Sequence, residues 1–285
     1  MPSLHDLKAP AKLNLFLHVT GRRDDGYHLL QSVFVPIDWC DTLHIETRAD
    51  GALQRHDLGP QLPPDDLCLR AARLLQQHSS TSQGADIHID KQVPWGAGMG
   101  GGSSDAACVL RALNVLWDLH WPLERLAPLA LQLGADVPFF LQGRPAWVEG
   151  VGEHITPLSL PPELYQTPLA VLKPPVVVPT AAIFNSPLLK RNSERAIVAV
   201  FLAAPKRFGH NDLQPPAMAY SSEVTQALEI MQGRFGNSRM TGSGSAVFSW
   251  LEPEDAATLT SFSPVDVGQA DPTWVGRLCR LLPGT

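Results

Sequence analysis

Between Pro94 and Ser104 the chain reads Pro-Trp-Gly-Ala-Gly-Met-Gly-Gly-Gly-Ser-Ser, five glycines in eleven residues. Without Cβ atoms in the way, successive backbone N–H groups can close on an anion. The apolar spacing of Ala106–Trp117 predicts a helix directly after this run, which adds orphan N–H donors and the positive end of a dipole. Ile87 and Ile89 alternate as a short strand ahead of it, ending at Lys91-Gln92-Val93-Pro94. Strand, glycine loop and helix in that order suit phosphate. A flexible linker is the commoner explanation of an isolated glycine cluster; here the flanking elements favour a phosphate cradle. Ser103 and Ser104 can cap the helix or offer hydroxyls to a phosphate oxygen or a magnesium ion.

Several phosphate and nucleophile classes fall away by inspection. The Walker loop needs a lysine after its last glycine, and none follows here. No His-Arg-Asp or Asp-Phe-Gly triplet of a protein kinase is present, and neither Ser103 nor Ser243 lies in G-x-S-x-G. Gly96-x-Gly98-x-x-Gly101 does fit a dinucleotide fingerprint, which keeps an oxidoreductase as the runner-up, although Pro94 and Trp95 intrude where the strand should meet the first glycine.

Two charged residues are placed by their elements. From Lys12 to Val19, Leu13, Leu15, Leu17 and Val19 alternate with Lys12, Asn14, Phe16 and His18. That period predicts a half-buried strand with Lys12 and Asn14 pointing the same way. A turn at Gly21–Gly26 and strand-like runs at Ser32–Ile37 and Thr42–Thr47, separated by an acidic corner, predict that the chain opens as a sheet. Helical spacing covers Leu67–Gln77 and Leu123–Leu133. Gly134-Ala135-Asp136-Val137-Pro138 stops the second of these sharply and sets Asp136 just beyond a helix end.

Prolines cluster around Pro157–Pro162, which predicts a boundary near residue 160 and two domains, 1–160 and 161–285. The second half shows a strand at Leu169–Leu172, helical patterning at Arg195–Ala203 and Ser222–Gln232, a loop Thr241-Gly242-Ser243-Gly244-Ser245, a strand Ala246–Leu251 and a helix Pro253–Ser261. The expected fold class is α+β.

Composition narrows the partners. With 44% hydrophobic and 18% charged residues in 285, this is an ordinary globular chain. A net charge of −6 and the lack of a basic run argue against nucleic acid. Cys40, Cys68, Cys108 and Cys279 form no C-x-x-C pair, which removes the usual zinc spacings and fits free thiols. No stretch approaches the length of a membrane span, and the N-terminus lacks a signal-peptide pattern, so the expected location is the cytoplasm. Oligomeric state is not legible.

The loop, the early Pro10-Ala11-Lys12-Leu13-Asn14-Leu15 and the late Arg239-Met240-Thr241-Gly242-Ser243-Gly244 together resemble the GHMP small-molecule kinases. Gly26-Tyr27-His28, Leu133-Gly134-Ala135-Asp136-Val137-Pro138, Glu149-Gly150-Val151-Gly152-Glu153 and Pro179-Thr180-Ala181-Ala182-Ile183-Phe184 point within that superfamily to the branch acting on a CDP-linked methylerythritol alcohol. The resemblance implies a two-domain GHMP kinase fold with the active site in the cleft between domains. It implies ATP with Mg2+, a small-molecule substrate phosphorylated on its 2-hydroxyl, and a place in non-mevalonate isoprenoid synthesis. Other alcohols (homoserine, mevalonate, a sugar) and a non-catalytic nucleotide-binding module are the alternatives.

Residue by residue, Lys12 and Asp136 match the family's catalytic pair. In such a pair Asp136 takes the hydroxyl proton, while Lys12 steadies the developing alkoxide and keeps Asp136 ionised. The nucleotide positions are Lys91, Pro94, Trp95, Gly96, Ala97, Gly98, Met99, Gly100, Gly101, Gly102, Ser103 and Ser104. The substrate positions are Asn14, Tyr27, His28, Thr180, Phe184 and Gly242, with Tyr27 and Phe184 stacking on cytosine and His28 reading its edge. The resemblance supplies no dedicated protein metal site. Asp66, Met99 and Gln214 depart from the Asn, Leu and Glu that the family often has at these positions.

Overall fold

The alternation at Lys12–Val19 is the middle of a much longer strand, β1 (Ser3–Arg22). Every residue from Ala11 to Val19 is buried, so both faces of this stretch are covered. This corrects the half-buried strand expected from sequence: Lys12 and Asn14 can face inward because they satisfy each other, the Lys12 ammonium donating to Asn14 Oδ1 at 2.6 Å. The acidic corner is a second correction, because Ser32–Ile37 and Thr42–Thr47 are parts of one continuous strand, β2 (His28–Arg48). Asp38 and Asp41 stay in the strand because their carboxylates take backbone amides from neighbouring segments. Asp38 accepts from Arg280 N at 2.8 Å, and Asp41 accepts from Gln92 N at 2.6 Å and Val93 N at 2.8 Å.

The computed structural model describes residues 1–269 and 271–284. After β2 the order is β3 (Leu53–Asp57), α1 (Leu67–Ser79), β4 (Gly84–Asp90), α2 (Gly101–Leu116), α3 (Leu123–Leu133), α4 (Val137–Gln142), β5 (Ala146–Gly150) and β6 (His154–Pro157). Then follow α5 (Pro162–Gln166), β7 (Leu169–Lys173), α6 (Thr180–Asn185), α7 (Val198–Ala203), α8 (Gln214–Tyr220), α9 (Ser222–Phe235), β8 (Arg239–Met240), β9 (Val247–Trp250), α10 (Pro253–Thr258) and β10 (Val275–Cys279).

These elements form two compact units, each discontinuous in sequence. The first takes residues 1–11, 39–93 and 100–143, and the second takes 12–38, 94–99 and everything from Arg144 onward. In the first, the far half of β2 pairs antiparallel with β4, Thr42 opposite Asp90, and β3 pairs parallel with β4. Helix α1 starts where Asp66 caps it, accepting from Leu69 N at 3.1 Å, and it buries Cys68, Ala71, Ala72 and Leu75, one face of a 3.6-residue period. Helix α2 buries Ala106, Ala107, Val109, Leu110 and Leu113.

In the second unit, the near half of β2 pairs antiparallel with β5, which pairs with β6. A separate sheet runs β10-β7-β9-β8 and is antiparallel throughout. Ser221 caps α9, Gly236 ends it in the left-handed region, and Val224, Ala227, Leu228, Met231 and Phe235 pack into a core with Ala170, Leu172 and Val247. The mixture of helices with largely antiparallel strands is the expected α+β class. It also removes the oxidoreductase alternative: β4, the strand that leads toward the glycine loop, pairs antiparallel with β2, so the doubly wound parallel sheet of a dinucleotide fold is not built here. Among the described residues no helix is long and apolar enough to cross a membrane.

Candidate active site

The glycine loop divides between the units. Its first half, Pro94–Met99, belongs to the second unit and is shaped by the late glycine motif. Gly98 has φ +72°, and a Cβ there would strike the Thr241 carbonyl and come within 3.0 Å of Gly244 N. Reciprocally, Gly242 has φ +55°, and its Cβ would lie 2.7 Å from Gly98 O. Only glycine meets both requirements, the backbone angle and the approach. Ala246 N donates to Ala97 O at 3.1 Å and Lys12 N to Met99 O at 2.9 Å, so the early, middle and late motifs share one piece of backbone scaffolding. Trp95 stands 75% exposed beside it.

The second half of the loop is the start of a helix. α2 begins at Gly101, five residues before the helix predicted from Ala106, because Gly100 in the left-handed region lets the chain turn straight into helical geometry. No side chain caps it. Its first N–H groups are therefore the orphan donors that suit an anion. Ser104 is buried, whereas Ser103 is half-buried, with its hydroxyl 3.9 Å from where a Cβ on Gly134 would be. That contact sets the α2 start beside the turn that carries Asp136. Asp136 occupies the N-cap position of α4, is half-buried, and makes no capping hydrogen bond to its own helix.

Behind the α2 start, the Lys91 ammonium is held between Asp41 and Asp105, the latter at 2.6 Å. Its Nζ lies 3.4 Å from the point a Cβ on Gly101 would occupy. Burial pulls the ammonium pKa down, but the two carboxylates outweigh it and hold it above the usual lysine range. Burial, with Asp41 beside it, pushes Asp105 up to about 8 against the pull of Lys91.

In the second unit Lys12 is 3% exposed. Its Nζ lies over the Phe34 ring, 4.8 Å from the centroid, as well as on Asn14 Oδ1. Asn14 is tied on three sides: Oδ1 also accepts from Thr241 Oγ1 at 3.2 Å, Nδ2 donates to Ser32 Oγ at 2.9 Å, and the backbone N donates to Thr241 Oγ1 at 2.9 Å. Helix α6 serves two places. Thr180 Oγ1 lies 2.9 Å from Ser243 Oγ in the late loop, while Phe184 stacks on His28, with centroids 5.0 Å apart and planes at 28°. Tyr27, next to His28, is 63% exposed.

The second unit thus brings Lys12, Asn14, Gly96–Met99, Thr180 and Gly242 together and sets His28 against Phe184. The first holds Lys91, Gly100–Ser104 and Asp136. Of the departures from the family pattern, Asp66 is committed to the α1 cap and to Arg55 at 2.9 Å, and Met99 is buried. Gln214 accepts from Met240 N at 3.0 Å, a role its amide oxygen fills as a carboxylate would. Sequence reading missed the work of Ser32 and Thr241, whose partner Asn14 is 227 residues from Thr241. It also missed Arg191, which no local pattern announces.

Comparison with known proteins shows the family. The family of GHMP kinase N-terminal domains matches residues 66–144, and that of GHMP kinase C-terminal domains matches residues 199–261. The 4-diphosphocytidyl-2-C-methyl-D-erythritol kinase of Methylibium petroleiphilum is 62% identical over 280 residues, covering 98% of this chain and 95% of that protein. The protein of the same name from Variovorax paradoxus is 52% identical over 299 residues, with 99% and 97% covered. Among solved structures, a crystal structure of 4-(cytidine 5'-diphospho)-2C-methyl-D-erythritol kinase superposes with TM-score 0.78 at 35% identity, covering 98% of this chain and 99% of that one. A mevalonate kinase superposes with TM-score 0.69 at 12% identity, covering 99% of each chain, a likeness of fold alone.

Proposed function

The chain belongs to the GHMP kinases, and among them to the 4-diphosphocytidyl-2-C-methyl-D-erythritol kinases, and from that membership we propose that it phosphorylates the 2-hydroxyl of that CDP-linked alcohol with Asp136 as base and Lys12 as its electrostatic partner. That it is an ATP-dependent small-molecule kinase follows from the family. The observation that carries the finer reading is the convergence of the three motifs on one scaffold: Lys12 and Asn14, Gly96–Met99, and Thr241–Gly244 bind one another directly.

Phosphoryl transfer leaves the protein mainly positioning and electrostatic work. The uncapped start of α2, Gly100–Ser103, suits the phosphates, with Ser103 as the accessible hydroxyl and Lys91 bracing the turn from behind. A magnesium ion bound with the nucleotide would neutralise its phosphate charge. Asp136, not spent on capping, accepts the hydroxyl proton. Lys12, held by Asn14 and Phe34, supplies the positive charge that favours the carboxylate and the alkoxide. Asn14, Thr180 and Gly242 shape the substrate side, and Tyr27, His28 and Phe184 take the base. The boundary near residue 160 expected from sequence lies between the two matched segments, whereas the compact units interleave and last divide at Arg144. Four free cysteines and the need for ATP fit the cytoplasm.

The test is a coupled assay of ADP release with Mg-ATP, comparing 4-diphosphocytidyl-2-C-methyl-D-erythritol with mevalonate, homoserine and galactose. Selective turnover of the CDP-linked alcohol is expected. Turnover of another alcohol in preference, or of none, overturns the substrate assignment.

A further inference from the structure

One arginine in the second unit has a role that the reaction does not require of it. Arg191 spends its fork on the backbone of its own segment, donating to Leu189 O at 3.1 Å, Phe184 O at 2.9 Å and Ser186 O at 3.0 Å. A fourth donor, Nε–H, points at His28 Nε2 at 3.0 Å. A guanidinium has no acceptor and does not give up its proton in proteins. His28 Nε2 must therefore be the acceptor in this bond, which a protonated imidazolium cannot provide. A neutral imidazole carries one N–H, so the proton is on Nδ1.

The surroundings agree. His28 is 9% exposed and stacks on Phe184, and burial, then Arg191, then Arg22 pull its pKa below the usual histidine range. The three carbonyl contacts fix the guanidinium independently of the histidine, so Arg191 imposes the tautomer rather than adapting to it.

We infer that Arg191 is a positioning residue that sets base specificity by holding His28 as its Nδ1–H form, so that the pocket offers a hydrogen-bond donor and demands an acceptor on the edge of the stacked base. This rests on the cytidine pocket proposed above. Cytosine presents acceptors at O2 and at the adjacent N3. Uracil keeps O2 but carries a hydrogen on N3, so a donor aimed at N3 meets another donor. Leaving buried donors face to face without acceptors costs roughly ten- to hundredfold in affinity. A histidine free to exchange its proton between nitrogens would accept from uracil as readily as it donates to cytosine. The locked form cannot.

Two measurements on the full chain test this. Long-range 1H–15N spectra of the [15N]histidine-labelled protein, with the His28 signals assigned by their loss in His28→Asn, report the tautomer directly and without turnover. The Nδ1–H pattern is expected from pH 6 to 8. In Arg191→Met the ring should revert toward the Nε2–H form and charge on acidification. An Nε2–H or charged ring in the unmutated protein overturns the inference, whatever reaction the enzyme performs. Calorimetric titration with CMP and UMP then reads the consequence. CMP is expected to bind roughly ten- to hundredfold tighter than UMP, with the ratio collapsing in Arg191→Met. Equal binding of the two by the unmutated protein, or a ratio untouched by the substitution, refutes a specificity role and leaves Arg191 as a clamp on residues 184–189. Should Arg191→Met fail to fold, the tautomer and the CMP/UMP ratio of the unmutated chain still decide. Binding of neither nucleotide defeats the base-reading claim. Failure of the kinase reading shows separately, in the ADP assay.

Discussion

Two lysines are withdrawn from solvent near the glycine loop, and they are held by different means. Lys91 lies between two carboxylates, Asp41 and Asp105. Lys12 rests on an amide oxygen and the face of a ring. A carboxylate within ion-pair distance neutralises an ammonium, so Lys91 is a brace: with Asp41 and Asp105 it ties β2, β4 and α2 together at the point where the helix begins. An amide oxygen and a π-face attract a cation without cancelling its charge. Those two contacts orient Lys12 by means other than the paired acids that hold Lys91. The residue type is the same and the neighbours differ; on the function proposed above, one lysine supports and the other acts.

The contrast fails if the two lysines respond alike to mutation. The largest effects should come from the acting pair: Asp136→Asn is expected to lower kcat by roughly 10²–10⁴ and Lys12→Met by roughly 10²–10³, both read in the ADP assay with ATP affinity retained. Lys91→Met should instead show in stability. It strands two buried acid groups and is expected to cost about 3–5 kcal/mol in urea unfolding. A Lys91→Met protein of full stability would end the distinction. Phe184→Ala touches neither lysine and should weaken substrate binding by about 1–3 kcal/mol, seen in KM, if stacking holds the base.

The smallest effect concerns the brace itself. Asp105, with its folded pKa raised from 3.8 to about 8, keeps a proton that the unfolded chain has already released above the ordinary carboxylate range. The folded state binds more protons there, so stability falls as pH rises toward and through 8. The urea midpoint should decline between pH 7 and 9, a window above the histidine range, and Asp105→Asn should flatten that decline. An identical slope in the variant would place the proton elsewhere.

How much of this was legible varied with the distance over which a residue acts. The α+β class, the side-by-side placement of Lys12 and Asn14, and helices α1, α3 and α9 were readable because strand alternation, capping residues and helical spacing are local signals. The glycine run was readable as a place but not as a structure. Gly96 and Gly98 read as residues cleared for a ligand, yet their missing side chains make room for Val177 and for the Thr241–Gly244 backbone. Gly100–Gly102, which look most like loop, begin a helix. β2 read as two strands because acidic residues usually interrupt one, and the amides that accept Asp38 and Asp41 into it come from Arg280 and from Gln92 and Val93. α4, β10 and Arg191 carry no periodic signal; β10 is placed by its pairing with β7, and Arg191 by carbonyls of its own segment and by His28.

The interleaving of the two units has a consequence during synthesis. A chain emerging N-terminus first has the first unit complete once residue 143 is made, while residues 12–38, the strand segments of the second unit, still wait for β5. For that interval the most apolar stretch of β1 and the near half of β2 are in existence without their later partners, a state in which unpaired strand edges are prone to associate wrongly. Their late capture makes the second unit rich in contacts distant along the chain, the kind that slow folding. The ribosome therefore delivers Lys12 and Asn14 early, and the late glycine motif that Asn14 binds only once residues 241–244 are made.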